Sequence, residues 1–203
     1  MSDPIDFWFA IGSTYTYLTV MRIGDVARRE GVVFRWRPFD LRTIMRELHN
    51  MPFPGGSPKT AYMWRDVERR AARYGIAWSA IPPYTIDDLA FANRIALVAA
   101  REGWCADYVR AAYRRWFLEG GDPSIEANAA VNLREARQDP DRVLALAASD
   151  EIRTALAGET DQARALGIFG SPVFVTGGEL FWGDDRLEDA IAWYRYGALK
   201  PLA

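Results

Sequence analysis

A chain of 203 residues, half of them hydrophobic, is long enough to bury a core without a metal or disulfide staple. Its 25 basic and 27 acidic residues leave a net charge of −2, which offers no basic field for nucleic acid. No apolar run approaches the ~20 residues that span a bilayer. Met1-Ser2-Asp3-Pro4 lacks the blocks of a secretion signal, so the cytoplasm is the expected compartment. A single cysteine, Cys105, excludes an intrachain disulfide and a Cys-x-x-Cys centre, and a single histidine, His49, excludes a His-rich metal site. If the chain is an enzyme, much of its reactive chemistry comes from something bound.

Residues 5–11 alternate Ile5, Phe7, Phe9 and Ile11 against Asp6, Trp8 and Ala10, which is strand periodicity. A helix is predicted from Thr14 to Glu30, with Leu18, Met21 and Val26 on one side, Ser13 at its entrance and Gly31 as its stop. Residues 32–39 alternate again, which completes a strand–helix–strand unit long enough for a parallel pair. Asp40 reads as the N-cap of a short helix reaching His49, and 51–58 is a Pro/Gly-rich breaker.

The pattern is then almost wholly helical. Helices are predicted over 60–74, 87–102, 105–119, 124–137, 141–148 and 151–166, broken at Gly75, Pro82-Pro83, Gly103, Gly120-Gly121 and Asp139-Pro140. The tail returns to the opening style. Strands at 173–175 and 179–182 flank a Thr176-Gly177-Gly178 turn, and a last amphipathic helix begins near Asp185, itself a competent N-cap. No Ser/Gly linker separates the helical stretch from the ends, so close packing between them is expected.

Two short segments carry the chemistry. Ser13 sits where the first helix begins, and the first-turn N–H groups of a helix lack intrahelical partners and favour an anion. Ser171-Pro172 feeds directly into a strand, a place where a tight or cis turn exposes backbone to a ligand. Together they suggest a thiol-binding site. The plain alternatives are an ordinary serine N-cap and an ordinary strand-entry turn. Lys59 stands at a helix start, the unfavourable end for a cation, which a bound carboxylate would explain. Tyr62, Asp66 and Arg69 follow on the same stripe and read best as a polar network that docks the helical part. Cys105 reads as a small core hydrophobe and His49 as a surface residue.

A βαβ unit followed by ββα, with a proline before the third strand, looks like an α/β thioredoxin-like fold interrupted by an all-α insertion domain. Within that fold the chain resembles the 2-hydroxychromene-2-carboxylate isomerases and the kappa-class glutathione transferases. The resemblance lies in Ser13-Thr14-Tyr15-Thr16-Tyr17-Leu18, in Lys59, Tyr62, Asp66 and Arg69, and in Gly167 to Val175 followed by Trp182-Gly183-Asp184-Asp185-Arg186. Thr14 replaces the usual proline after the serine, and Ala10 an acidic residue common earlier in the strand. The implied division is 1–43 and 166–203 for the two parts of the thioredoxin-like domain and 44–165 for the insertion.

The resemblance implies glutathione as cofactor, with the Ser13 hydroxyl donating to its sulfur. It also implies a cis Ser171–Pro172 bond, with the Ser171 backbone pairing the cysteinyl unit in the manner of an added strand. Asn50 and Lys59 are implied as further glutathione contacts, and the Asp184–Asp185 pair as the contact for the γ-glutamyl amine. A free thiol near pKa 8.5 is only about 3% ionised at pH 7, and lowering it by two units takes about 2.7 kcal/mol. A hydrogen bond to a charged group supplies about 1.5–3 kcal/mol and a helix N-terminus about 0.3–1, so no cationic neighbour is required. The implied activity is a glutathione-dependent isomerisation of an aromatic or conjugated carboxylate, a chemistry of aromatic compound catabolism, in a cytoplasmic homodimer. A kappa-like transferase and a non-catalytic thioredoxin-fold binding module remain the alternatives. Trp64, Trp182 and Tyr15 are candidates for walling an aromatic substrate.

Overall fold

The computed structural model describes residues 3–51, 56–84 and 86–199. Strand β1 (Ile5–Phe9) runs through helix α1 (Thr14–Glu30) into β2 (Phe34–Pro38), which pairs with β1 in parallel. Strands β3 (Val173–Thr176) and β4 (Glu179–Trp182) return antiparallel, giving the sheet order β2-β1-β3-β4. Helix α9 (Leu187–Tyr196) closes the chain after a 3-10 turn at Asp184–Arg186.

Between the two halves of the sheet come α2 (Leu41–Glu47), α3 (Pro58–Tyr74), α4 (Leu89–Glu102), α5 (Cys105–Glu119), α6 (Glu126–Glu135), α7 (Pro140–Ala148) and α8 (Asp150–Ala165). The fold is thus the expected thioredoxin-like α/β arrangement with a helical insertion. No helix among the described residues is long and apolar enough to cross a membrane.

The alternation in β1 places side chains in two separate cores. Ile5, Phe7 and Phe9 face α1 and α9, where Phe7 stacks on Phe174 at 5.4 Å and meets Trp36 edge-on at 4.9 Å. Trp8 points the other way, into a smaller core with Phe39, Ile44, Ala163 and Ile168 from the α2 and α8 side. A strand covered on both faces has little room for polar residues, which is why IDFWFAI is so nearly apolar throughout.

The insertion packs on the sheet domain through α1 and, by way of α4 and α8, on strand β2. Both α3 and α5 lie against α1, and Tyr17 stacks face to face on Phe117 of α5 at 3.9 Å. Tyr15 of α1 donates to Asp66 of α3 over 3.1 Å, so the Tyr62–Asp66–Arg69 stripe does contain a docking contact. Asp66 also receives Arg69 at 3.4 Å and Arg70 at 3.1 Å. Burial works against its charged form, but the bonds from Arg70 and Tyr15 hold its carboxyl below the ordinary range.

Candidate functional site

The residues 10–13 connect β1 to α1, and Ser13 occupies the N-cap position of that helix with an extended backbone. Its hydroxyl does not cap the helix. Instead Ser13 Oγ donates to the carbonyl oxygen of Ser171 over 2.7 Å, across 158 residues of sequence. The ordinary N-cap reading is therefore replaced by a contact between the chain's two signature segments. The Ser171–Pro172 bond is cis, as the resemblance implies.

Ser171 is held in turn by its own side chain. Its Oγ accepts from Ala10 N–H at 3.0 Å and lies 2.8 Å from Thr16 Oγ1, all of it buried. The loop before β3 and the loop after β1 are thereby locked together. Ser171 forms one end of a groove of about 300 Å³ whose walls include Tyr15, Asp66, Arg70, Trp182 and Asp185. A wider hollow of about 570 Å³ adjoins it, sharing Asp66, Arg70 and Asp185.

The two aspartates after Gly183 take different positions. Asp184 is 1% exposed, accepts from Arg22 Nε at 3.0 Å and from Thr19 at 3.1 Å, and its backbone carbonyl accepts a second Arg22 nitrogen at 2.6 Å. Its Oδ2 has no hydrogen-bond partner among the described residues. Burial pushes the Asp184 carboxyl up, and Arg22 only partly offsets it. Asp185 is partly exposed and its carboxylate lies 3.5 Å from Arg70 across the groove and 3.8 Å from Arg186. The expectation that Asp185 caps the last helix is corrected. A 3-10 turn intervenes, Arg186 takes the cap position without a side-chain bond, and the Asp185 carboxylate faces Arg70 and Arg186 beside the groove instead.

Tyr15 stands on the groove wall two residues beyond Ser13. Burial, reinforced by Asp66, pushes its phenol up to about 12, so at neutral pH it keeps its proton. Because that proton goes to Asp66, the Tyr15 oxygen can only accept from whatever enters the groove.

Ser171, Asp184 and Asp185 line this groove, while Ser13 and Pro172 stand behind its wall, Ser13 joined to Ser171 by the 2.7 Å hydrogen bond and Pro172 by the cis peptide bond. Asn50 and Lys59 do not line this groove. Asn50 is exposed after α2, with its N–H donating to Met45 C=O at 2.9 Å, and Lys59 is exposed in the first turn of α3. Cys105 is buried with its thiol against Ala96 C=O at 3.5 Å, and burial pushes its pKa up, so it is no nucleophile. His49 is exposed just past α2, and Trp64 is a core residue packed with Trp78, Tyr84 and Phe117.

Sequence reasoning missed Asn93 and Tyr113, which hold the 10–13 turn, and Thr16, which holds Ser171. Asn93 is fully buried in α4, yet it accepts from Ile11 N–H at 2.9 Å and donates to Ile11 C=O at 3.3 Å, as a neighbouring strand would. Its available signal was an amide inside the apolar run Leu89 to Ala100.

The fold and site define a class: a thioredoxin-like α/β protein with a helical insertion and a serine hydroxyl, rather than a cysteine pair, at the entrance of its first helix. The chain belongs to the family of the DSBA-like thioredoxin domain, which matches residues 4–192. The 2-hydroxychromene-2-carboxylate isomerase of Sphingobium xenophagum is 29% identical over 190 residues, covering 93% of this chain and 96% of that protein. Glutathione s-transferase kappa 2 of Caenorhabditis elegans is 25% identical over 197 residues, covering 90% and 88%. A solved 2-hydroxychromene-2-carboxylate isomerase has the same fold, with a TM-score of 0.79 at 24% identity over 94% of this chain and 95% of that one. Kinship with named isomerases along most of its length marks the chain as an enzyme.

Proposed function

We propose that this chain is a glutathione-dependent isomerase of an aromatic or conjugated carboxylate. The observation that carries the reading is the Ser13 hydroxyl. It stands at the start of α1, takes no part in capping, and meets the Ser171 carbonyl at 2.7 Å. The similarity to a named isomerase and a named glutathione transferase of the same length supports the same assignment.

The groove offers groups that fit the tripeptide. The Ser171 carbonyl suits a peptide N–H, Asp185 and the accepting oxygen of Tyr15 suit an ammonium, and Arg70 suits a carboxylate. Glutathione, when bound, supplies a soft thiolate nucleophile that adds to a conjugated system and leaves again. Ser13 keeps that sulfur ionised. Its single proton is donated to the Ser171 carbonyl, and rotation about the Cβ–Oγ bond would turn it towards a thiolate beside Ser13. The first turn of α1 adds its unpaired N–H groups. Lys59 and Asn50, outside the groove wall, are proposed to act from the rim, and Trp182 to face the aromatic part of the substrate.

We extend the proposal to the chain's organisation: 1–43 and 166–203 form the thioredoxin-like part, 44–165 the insertion that excludes water, and the enzyme works in the cytoplasm as a homodimer. A second reading, a kappa-like transferase, is favoured by the transferase relative and uses the same groups. Incubation with reduced glutathione and a cis-conjugated aromatic carboxylate, followed by chromatographic separation of the isomers and mass analysis of each peak, separates them. Isomerisation leaves the substrate's mass unchanged and glutathione recovered, transfer yields a conjugate, and no change in either compound would contradict both readings.

A further inference from the structure

The 10–13 turn that presents Ser13 is held at nearly every polar backbone group. Ala10 N–H donates to Ser171 Oγ, Ser13 N–H donates to Ala10 C=O at 3.1 Å, and Asn93 holds both groups of Ile11. Gly12 completes the turn at φ 111°, a conformation that side chains with a Cβ rarely adopt. One residue holds the remaining end. Tyr113, on α5, places its hydroxyl 3.0 Å from the carbonyl of Ala10 and 3.0 Å from that of Ser13.

The direction of a serine hydroxyl follows from the frame made by its N, Cα and C atoms. Ser13 N–H is fixed through Ala10, and Ser13 C=O shares the single Tyr113 hydroxyl proton with the Ala10 carbonyl, so both ends of that frame are restrained before any ligand arrives. Tyr113 is fully buried, so it touches no ligand itself. Burial pushes its phenol up, which keeps the donating proton in place across the working pH range. The ring also packs among Tyr17, Trp116 and Phe117, which alone would account for an aromatic residue but not for the hydroxyl.

We infer that Tyr113 is a positioning residue: through the Ala10 and Ser13 carbonyls it aims the Ser13 hydroxyl at the place where the thiolate forms. The insertion then does more than cover the site, because a helix within it sets the geometry of the sulfur's hydrogen-bond donor. This inference rests on the reading of Ser13 as that donor.

Tyr113→Phe keeps the ring and removes only the hydroxyl. The test uses the full-length protein as wild type, Tyr113→Phe, Ser13→Ala and the double variant. The pH at which bound glutathione is half ionised is read from thiolate absorbance, and affinity from calorimetry. Tyr113→Phe is expected to raise the bound thiol's pKa by roughly one unit, since a misaimed donor loses much of a charge-assisted bond. Glutathione affinity at a pH where the thiol is neutral is expected to change less than about threefold. In the Ser13→Ala background the same substitution is expected to add no further shift. An unchanged thiol pKa in Tyr113→Phe, or an equal shift with Ser13 already absent, would overturn the inference. Should the wild type bind no glutathione, the functional reading falls, and the clamp is judged on the ligand-free protein by amide exchange at Ser13. An increase of about tenfold or more in Tyr113→Phe supports it, and unchanged exchange overturns it.

Discussion

Ser13 and Ser171 lie 158 residues apart in sequence and meet through a 2.7 Å hydrogen bond from the first hydroxyl to the second carbonyl. The bond joins the loop before α1 to the loop before β3. Because no capping bond is involved, Ser13→Ala removes a single internal hydrogen bond worth about 1 kcal/mol. A urea midpoint lowered only slightly, with an unchanged denaturant slope, is expected. A loss of several kcal/mol would mean that the hydroxyl is chiefly structural.

Asn93 behaves in the opposite way. Its amide satisfies Ile11 N–H, Ile11 C=O and Leu89 C=O in a fully buried place. Asn93→Ala leaves buried backbone groups without partners at about 1–3 kcal/mol each, so a loss of roughly 2–4 kcal/mol is expected in urea unfolding. A change below about 1 kcal/mol would show that the turn re-pairs without it.

Gly183 governs Asp185. Its φ of 116° disfavours any residue with a Cβ, and a Cβ there would lie 2.6 Å from Asp185 Oδ1. Gly183→Ala is expected to turn the Asp185 carboxylate out of the groove and weaken glutathione binding by about tenfold, the size of one charge-assisted contact. Calorimetry checks this, and an unchanged Kd would remove Asp185 from the γ-glutamyl contact.

Glu102 gives a pH dependence of known sign. Arg142 donates to it twice, at 2.8 and 2.9 Å, tying α4 to α7, and Trp104 donates a third bond at 2.8 Å. The Arg142 and Trp104 bonds hold its carboxyl at about 2, below its ordinary 4.5. The folded form therefore releases this proton more readily than the unfolded one. The resulting stability is present above pH 4.5 and is lost as the pH falls towards about 2. The pair is partly exposed, so Glu102→Gln is expected to cost no more than about 1 kcal/mol at neutral pH. Its melting temperature should converge on the wild type's as acid is added. A constant gap across that range would show that the pair's charge is not what matters.

Much of this architecture is legible in the amino-acid order. The helix from Thr14 to Glu30 has the predicted ends because an apolar stripe runs the whole way and Gly31 stops it in a left-handed conformation. The Cys105–Glu119 helix is bounded in the same way by Gly120. Residues 52–55, in the predicted breaker loop, lie outside the described residues. The start of the last helix is not legible, since nothing local distinguishes an N-cap aspartate from one inside a 3-10 turn.

The support beneath the site was illegible for a different reason. Tyr113 sits in an apolar stripe with Val109, Ala112 and Trp116, and only the fold brings its hydroxyl to a turn 100 residues away. Local periodicity reports which face is buried, not what a buried hydroxyl meets. The two segments are legible as parts of one thiol site, but the direct Ser13–Ser171 hydrogen bond is not, because hydrogen bonds at such separation leave no periodic trace.

The most direct test is the ionisation of reduced glutathione on the wild-type enzyme and on Ser13→Ala, followed by thiolate absorbance across pH. The account predicts saturable binding with a thiol pKa lowered by roughly two units on the wild type, and most of that lowering lost in the variant. Glutathione that fails to bind, or that ionises equally well on both proteins, would contradict it.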